Sequence, residues 1–249
     1  MELSVDIIVL LTAVAFVAGF VDAIAGGGGL LTVPAMLIAG MDPVSTLATN
    51  KLQATFGVGA ASLNYARHGA ADWRSVRLMM AVSGIAAAFG ALFVASVPIA
   101  FVKAALPFIL LAVALYFLLA PRPGAVDTKP RLSQPVFTST FVPAIAFYDG
   151  AIGPGTGSFF TLSFLALRGQ TLLRATANAK LLNFMSNLGA LAVFFFAGKL
   201  VWLVGLTMAV GSIVGAQLGS RLAISKGAAV IRPLIVVACS AMAAKLLLG

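Results

Sequence analysis

The chain has 249 residues, of which 61% are hydrophobic and only 9% are charged. Soluble domains carry roughly 25% charged residues, so this chain has too little polar surface to cover a water-soluble globule. The composition therefore predicts an integral membrane protein and excludes a soluble domain or a nucleic-acid-binding module. The formal net charge of +9 fits this class, because Lys and Arg gather in the cytoplasmic loops of membrane proteins.

Uncharged apolar runs divide the chain into ten predicted membrane segments. Because these runs lack the alternation of membrane β-strands, we expect an all-α, polytopic helix bundle. Glu2 and Asp6 stand where a cleavable signal would be basic, so the first segment is expected to be retained. The segments cover residues 4–24, 29–40, 44–66, 76–97, 99–120, 135–150, 155–167, 171–197, 200–221 and 228–247.

A polar linker at 121–134, PRPGAVDTKPRLSQ, is the stretch that most resembles a domain boundary. It separates a first membrane repeat, 1–120, from a second, 135–249. The basic residues of the linker and of the loops around 67–77, 168–174 and 221–226 predict that these four regions lie in the cytoplasm. Both termini are then expected on the periplasmic side.

The two halves of the chain align with each other without a gap. One fixed offset, the repeat offset, places segment 26–37 on 155–166, Lys51 on Lys180 and Trp73 on Trp202. Each half holds five segments, and an odd number implies that the second half enters the membrane upside down. This is the inverted-repeat plan common among secondary transporters. A chance alignment of apolar sequence is the alternative, and the matched lysines and tryptophans argue against it.

Each half contains one short segment that follows a glycine-rich turn. As helices, residues 29–40 and 157–167 reach only about 16–18 Å, whereas the hydrocarbon core is ~30 Å thick. We therefore expect two half-helices whose first turns, with their unpaired N–H groups and positive dipole ends, lie inside the membrane and bind an anion. Tight helix packing is the alternative role of these glycines. The candidate residues are Gly26, Gly27, Gly28, Gly29, Gly155, Thr156, Gly157 and Ser158.

Two lysines, Lys51 and Lys180, are expected near the membrane midplane. A lysine there costs roughly 2.5–3.5 kcal/mol, so it is usually functional or paired. The alternatives to an anion-binding role are snorkelling or ion pairs with Asp22 and Asp149, which precede the glycine runs. In a combined scheme, an arriving anion releases each lysine from its aspartate, and the aspartates are candidates for proton coupling. Nearby amide side chains that can hydrogen-bond an oxyanion are Asn50, Gln53, Asn178 and Asn183.

Other patterns are structural. A close-packing helix face is predicted by glycines that recur every four residues, Gly211, Gly215 and Gly219.

The sequence contains no Cys/His cluster, nucleophile elbow or carboxylate pair of the kind that supports catalysis. We therefore expect no enzymatic activity, no metal site and no cofactor.

The motifs together resemble the sulfite exporter TauE/SafE family. The resemblance rests on GGGGLLTVP at 26–34 and ATNKLQ at 48–53, with GPGTGS at 153–158 and AKLLN at 179–183 in the second half. It implies a permease of the bacterial inner membrane whose cargo is a small sulfur-containing anion, such as sulfite or an organosulfonate. Within these motifs it also implies roles for Gly153 and Pro154.

The expected function is thus a secondary transporter that moves a small anion by alternating access, with the anion and the lipid bilayer as partners. A passive anion channel of the same architecture is one alternative. A non-transporting assembly or sensor protein, with the lysines locked in ion pairs, is the other. The sequence leaves the particular anion, the direction of transport, the coupling ion and a homo-oligomeric state open.

Overall fold

A computed structural model describes residues 4–119 and 129–226. Every regular element in these two ranges is an α-helix, which confirms the predicted all-α class. The helices are α1 (Val5–Ala25), α2 (Gly29–Ile38), α3 (Pro43–Arg67), α4 (Trp73–Ser96), α5 (Ile99–Leu119), α6 (Gln134–Ser139), α7 (Phe141–Ala151), α8 (Thr156–Arg168), α9 (Leu172–Phe196) and α10 (Trp202–Lys226).

Nine predicted segments correspond to these helices, with one difference. The segment predicted at 135–150 is broken into α6 and α7 at Thr140. Pro143 supplies the reason: it has no N–H and its ring clashes with the carbonyl four residues earlier, at Ser139, where α6 ends. The tenth predicted segment, 228–247, lies outside the described residues.

Four of the described helices are long and apolar enough to cross a membrane: α1, α4, α9 and α10. Their outward surfaces carry large exposed apolar side chains, including Phe89, Leu203 and Val210, each more than 60% exposed. An apolar exterior of this kind is expected where lipid replaces water. Helix α3 is equally long but less apolar, because its polar side chains, Asn50 and Gln53 among them, are buried inside the bundle.

Helices of the first half pack mainly on helices of the second. α1 lies against α10 and α4 against α7, while α3 contacts α10 and α9 contacts α4. Glycines allow these close approaches. A Cβ added at Gly215 of α10 would lie 2.0 Å from the Phe16 carbonyl oxygen of α1, and one at Gly90 of α4 would lie 2.1 Å from that of Phe147 in α7. Gly211 and Gly219 also press on α1, which confirms the predicted packing face.

The helix boundaries follow the repeat offset, which places Lys51 on Lys180. The same offset places the first and last residues of α3 on those of α9, and the first residue of α4 on that of α10. The short helices α2 and α8 occupy equivalent places, with 10 and 13 residues respectively. Both are too short to span a ~30 Å hydrocarbon core at ~1.5 Å per residue.

Candidate functional site

Glycine turns lead into both short helices. Gly26 ends α1 with a φ of 87°, and Gly153 and Gly155 precede α8 with φ of 97° and 87°. These left-handed conformations favour glycine because a Cβ would clash with the backbone. The glycines therefore let the chain reverse direction within one or two residues, so that α2 and α8 can begin inside the bundle.

The two glycine runs touch each other. The Ser158 N–H donates to the Gly26 carbonyl at 3.2 Å, and the Ser158 hydroxyl donates to the carbonyl of Ala25. A Cβ built on Gly26 would lie only 2.3 Å from the carbonyl carbon of Gly157. Backbone thus packs directly on backbone where the two halves meet, and this contact requires residues without side chains.

Two buried ion pairs flank this junction, and each joins one half of the chain to the other. Lys51 Nζ lies 2.7 Å from Asp149 Oδ1, and Lys180 Nζ lies 2.8 Å from Asp22 Oδ2. Both lysine side chains are at most 1% exposed. A buried charge is stable only when it is paired, so each lysine depends on the aspartate of the opposite half.

The two aspartates differ in their second partner. Oδ1 of Asp22 accepts the Gly28 N–H at 3.0 Å, at the start of α2, so a carboxylate already occupies this helix N-terminus. Oδ2 of Asp149 instead accepts the hydroxyl of Ser186. The Asp22 side chain is 16% exposed and that of Asp149 only 2%. Asp22 is therefore the more accessible carboxylate of the two.

Buried amide side chains complete the polar surroundings. Oδ1 of Asn50 accepts from Thr32 at 2.6 Å and from Gln53 at 2.9 Å, and Oδ1 of Asn183 accepts from Asn187 at 2.9 Å. Within the described ranges, the Nδ2 groups of Asn50 and Asn183 and the N–H groups of Gly29 and Gly157 make no hydrogen bond. These four donors are available to an acceptor such as an oxyanion.

A cavity of about 30 Å³ lies between these groups. A water needs about 10–15 Å³ by this measure, so the cavity holds roughly two waters, and anything larger requires it to open. The predicted site residues that line it are Asp22, Gly26, Gly28, Gly29, Asn50, Lys51, Gln53, Asp149, Gly155, Thr156, Gly157 and Asn183.

Four predicted residues do not line the cavity. Lys180 donates to Asp22, Ser158 holds the two glycine runs together, and the Gly27 carbonyl accepts from Leu30 in the first turn of α2. Asn178 lies elsewhere: its Oδ1 accepts the Asp72 N–H and its Nδ2 donates to Gln170, both at 3.1 Å. It therefore anchors the connection between α3 and α4.

Several lining residues carried no obvious sequence signal, and Ser212 is the clearest example. It belongs to α10 and is buried against two glycines: a Cβ on Gly57 would lie 2.0 Å from its Oγ, and one on Gly19 2.4 Å from its carbonyl oxygen. The repeat offset could have drawn attention to it, because it places Ser83 on Ser212. Ser83 is also buried in a helix contact and donates to the Leu182 carbonyl at 2.9 Å.

A helix bundle with an apolar exterior and an ion-paired polar centre defines an integral membrane protein, and its two short helices inside the bundle are a feature of solute carriers. The family model described as "Sulfite exporter TauE/SafE" matches residues 11–246. The chain belongs to this family.

Curated relatives extend over almost the whole chain. It is 52% identical over 246 residues to "Probable membrane transporter protein ORF9" of Sinorhizobium sp, covering 99% of this chain and 94% of that protein. It is 44% identical to a "Probable membrane transporter protein" of Haemophilus influenzae, covering 99% and 96%. "Probable membrane transporter protein YfcA" of Escherichia coli is 44% identical over 94% of this chain and 87% of its own length. The family and these names indicate a membrane transporter. No solved structure matches the chain significantly.

Proposed function

We propose that the protein is a secondary transporter, not an enzyme, that moves a small anion across the bacterial inner membrane by alternating access. Sulfite or an organosulfonate is the proposed cargo. The observation that carries the proposal is the buried cavity at the junction of the two glycine runs, where Lys51 and Lys180 are each paired across the two halves. Bound charge at a repeat interface is the usual arrangement of a transporter site.

Two inverted repeats would give this site its two alternating states. The swapped packing supports the arrangement, since α1 contacts α10 as α7 contacts α4. The swapped ion pairs support it as well. Rocking of one repeat against the other would then open the cavity towards one side and afterwards towards the other. The basic loops support an orientation with both termini on the periplasmic side.

The anion would bind by replacing a carboxylate. Each lysine now holds an aspartate, and an oxyanion entering the cavity would take over the lysine while accepting hydrogen bonds from Asn50, Asn183 and the amides of Gly29 and Gly157. A compact anion such as sulfite needs the least opening of a cavity that now holds roughly two waters. Longer organosulfonates would need a larger rearrangement. Protonation of the displaced aspartate would couple the anion to a proton.

A second candidate function, a non-transporting assembly or sensor protein, is favoured by the fully paired state of both lysines. Buried pairs can be structural, and their lysines would then never meet a ligand. A passive channel would share the architecture but would show no counterflow.

Ligand-dependent stability and counterflow separate these functions. We expect sulfite or methanesulfonate to raise the melting temperature of the purified protein, since a ligand of the folded state stabilises it. Lys51→Ala and Lys180→Ala should lose this shift, while Lys103→Ala, an exposed control, should keep it.

In proteoliposomes, unlabelled anion on the far side of the membrane should accelerate the uptake of labelled sulfite, and the uptake should saturate. Uptake that neither saturates nor shows counterflow would indicate a channel. If no anion shifts the melting temperature and no uptake occurs, the two lysines have a structural role only.

A further inference from the structure

We infer that Asp22, and not Asp149, takes up the proton that accompanies the anion, so that one proton and one monovalent anion bind together. This inference rests on the proposed function and names the coupling residue of that site. It follows from the charge of the cavity, from the unequal exposure of the two aspartates, and from the partners that each would retain.

The charges around the cavity cancel. Two lysines and two aspartates form the two pairs, so the site is formally neutral before any ligand enters. A monovalent anion alone would leave one negative charge in a buried region, which is costly. One proton delivered to an aspartate restores neutrality and at the same time frees a lysine for the anion.

Solvent exposure favours Asp22 as the aspartate that takes up the proton. Both aspartates line the cavity, but the Asp22 side chain is 16% exposed and that of Asp149 only 2%. Water that fills the cavity can therefore deliver a proton to Asp22. Lys180 is fully buried, but its Nζ lies close to Gly157, which lines the cavity: a Cβ on Gly157 would be 3.1 Å from it. Lys180 would then exchange its carboxylate partner for the anion.

The hydrogen-bond donors that each aspartate would keep after protonation also favour Asp22. A protonated Asp22 still accepts the Gly28 N–H through Oδ1 and can donate its new O–H to the anion. Asp149 is held by Lys51 and by the Ser186 hydroxyl, which donates to it. The Ser186 hydroxyl also lies 3.0 Å from the Asn183 carbonyl oxygen, so Asp149 has no fixed backbone donor comparable with the Gly28 N–H.

Among the described residues, Lys51 of α3 and Asp149 of α7 line the same cavity as Asp22, and Lys180 of α9 is paired with it. The phenol of Tyr65 in α3 is buried nearby and donates to the Ala23 carbonyl at 2.9 Å. Helix α2 has no ionisable side chain, that of α8 is Arg168 at its last residue, and those of α10 are Arg221 and Lys226 near its end. The proton taken up with the anion is thus assigned to one of the two carboxylates, of which Asp22 is the more exposed.

Calorimetry in buffers of different ionisation enthalpy measures the protons taken up for each anion bound. Methanesulfonate is a suitable probe because its own charge is fixed across the working pH range. We expect the wild-type protein to take up one proton for each anion bound. Over the pH range in which a full proton is taken up, the dissociation constant should rise about tenfold for each unit by which the pH increases. Asp22→Asn should bind methanesulfonate with no proton uptake and no such pH dependence.

Ser186→Ala removes a donor from Asp149 but leaves both ion pairs intact, so it should still take up one proton per anion with the wild-type pH dependence. A shifted pH dependence in Ser186→Ala would assign the proton to Asp149 and overturn the inference. Asp22→Glu keeps the carboxylate and should also take up one proton, which covers a failure of Asp22→Asn to fold. Wild-type binding without proton uptake, or uptake that persists in Asp22→Asn, would overturn the inference alone. Absence of methanesulfonate and sulfite binding at every pH would overturn the proposed function and the inference with it.

Discussion

The contact between the two glycine runs gives the most direct test of the site's geometry. Gly26→Ala places a methyl group 2.3 Å from the Gly157 carbonyl carbon in a residue with φ of 87°. The left-handed backbone costs about 1–2 kcal/mol for a residue with a Cβ, and overpacking a rigid contact costs typically 1–3 kcal/mol more. We therefore expect Gly26→Ala to lower the free energy of unfolding by about 2–5 kcal/mol.

Two other glycines separate the backbone cost from the clash. Gly69 and Gly198 also have positive φ, 68° and 64°, but a Cβ on either would have no neighbouring atom within 4 Å among the described residues. Gly69→Ala and Gly198→Ala should therefore cost only about 1–2 kcal/mol. The difference between Gly26→Ala and these controls isolates the close approach.

Unfolding in mixed micelles of increasing SDS content, followed by far-ultraviolet circular dichroism, measures these changes on one scale. Equal losses for Gly26→Ala and both controls would refute the direct packing of one glycine run on the other. A larger loss at Gly69 or Gly198 than at Gly26 would refute it equally.

Three further predictions concern the ion pairs, the helix contacts and the topology. Lys51→Met leaves the Asp149 carboxylate buried without its partner and should cost about 3–5 kcal/mol, whereas the double variant with Asp149→Leu should lose clearly less than the sum of the two single changes in the same SDS titration. Gly215→Val should cost about 2–3 kcal/mol by forcing α1 away from α10, measured in the same way. In whole cells, a membrane-impermeant maleimide should label Ala197→Cys but not His68→Cys, because the basic loop at 67–77 is expected in the cytoplasm.

Each of these experiments has a control within the chain. Val214→Ala, on the half-exposed side of α10, should change stability by less than Gly215→Val. The labelling variants are made in Cys239→Ser, which removes the single native cysteine. Additive losses at the ion pair would contradict direct coupling, and labelling of His68→Cys alone would contradict the proposed orientation.

The sequence was sufficient to predict the glycine turns and the buried lysines of the candidate site. Four consecutive glycines, a GPGTG turn and two lysines at matching positions follow local rules: left-handed turns favour glycine, and charges are rare in membrane helices. The break at Thr140 was also within reach, because Pro143 forbids a continuous helix there.

The sequence named Asp22 and Asp149 as possible partners of the two lysines, and the structure confirms both ion pairs. Which lysine pairs with which aspartate was beyond sequence reasoning. Lys51 is paired with a residue 98 positions away, and Lys180 with one 158 positions away. These pairings depend on how the two halves pack, which no local pattern specifies. Asn178 shows the same limit: it belongs to the polar run around Lys180, yet its side chain points to the α3–α4 connection.

The asymmetry between the two ion pairs can be traced to a difference in length between the halves. The repeat offset that places Lys51 on Lys180 places Asp22 on Ala151 and not on Asp149, so the second half has a longer stretch between its aspartate and its lysine. The glycines that follow the aspartates at equal spacing differ in conformation as well. Gly28 is right-handed helical and donates to Asp22, whereas Gly155 has a φ of 87°.

Asp149 consequently finds its second donor in Ser186. The repeat offset places Gly57 at the equivalent position of the first half, and this residue has no hydroxyl to offer Asp22. One aspartate is therefore held by a helix N-terminus and the other by a side chain. A helix amide stays in place whether or not the carboxylate is charged, so Asp22 can change its protonation state without losing its anchor. This difference supports the assignment of the proton to Asp22 and not to Asp149.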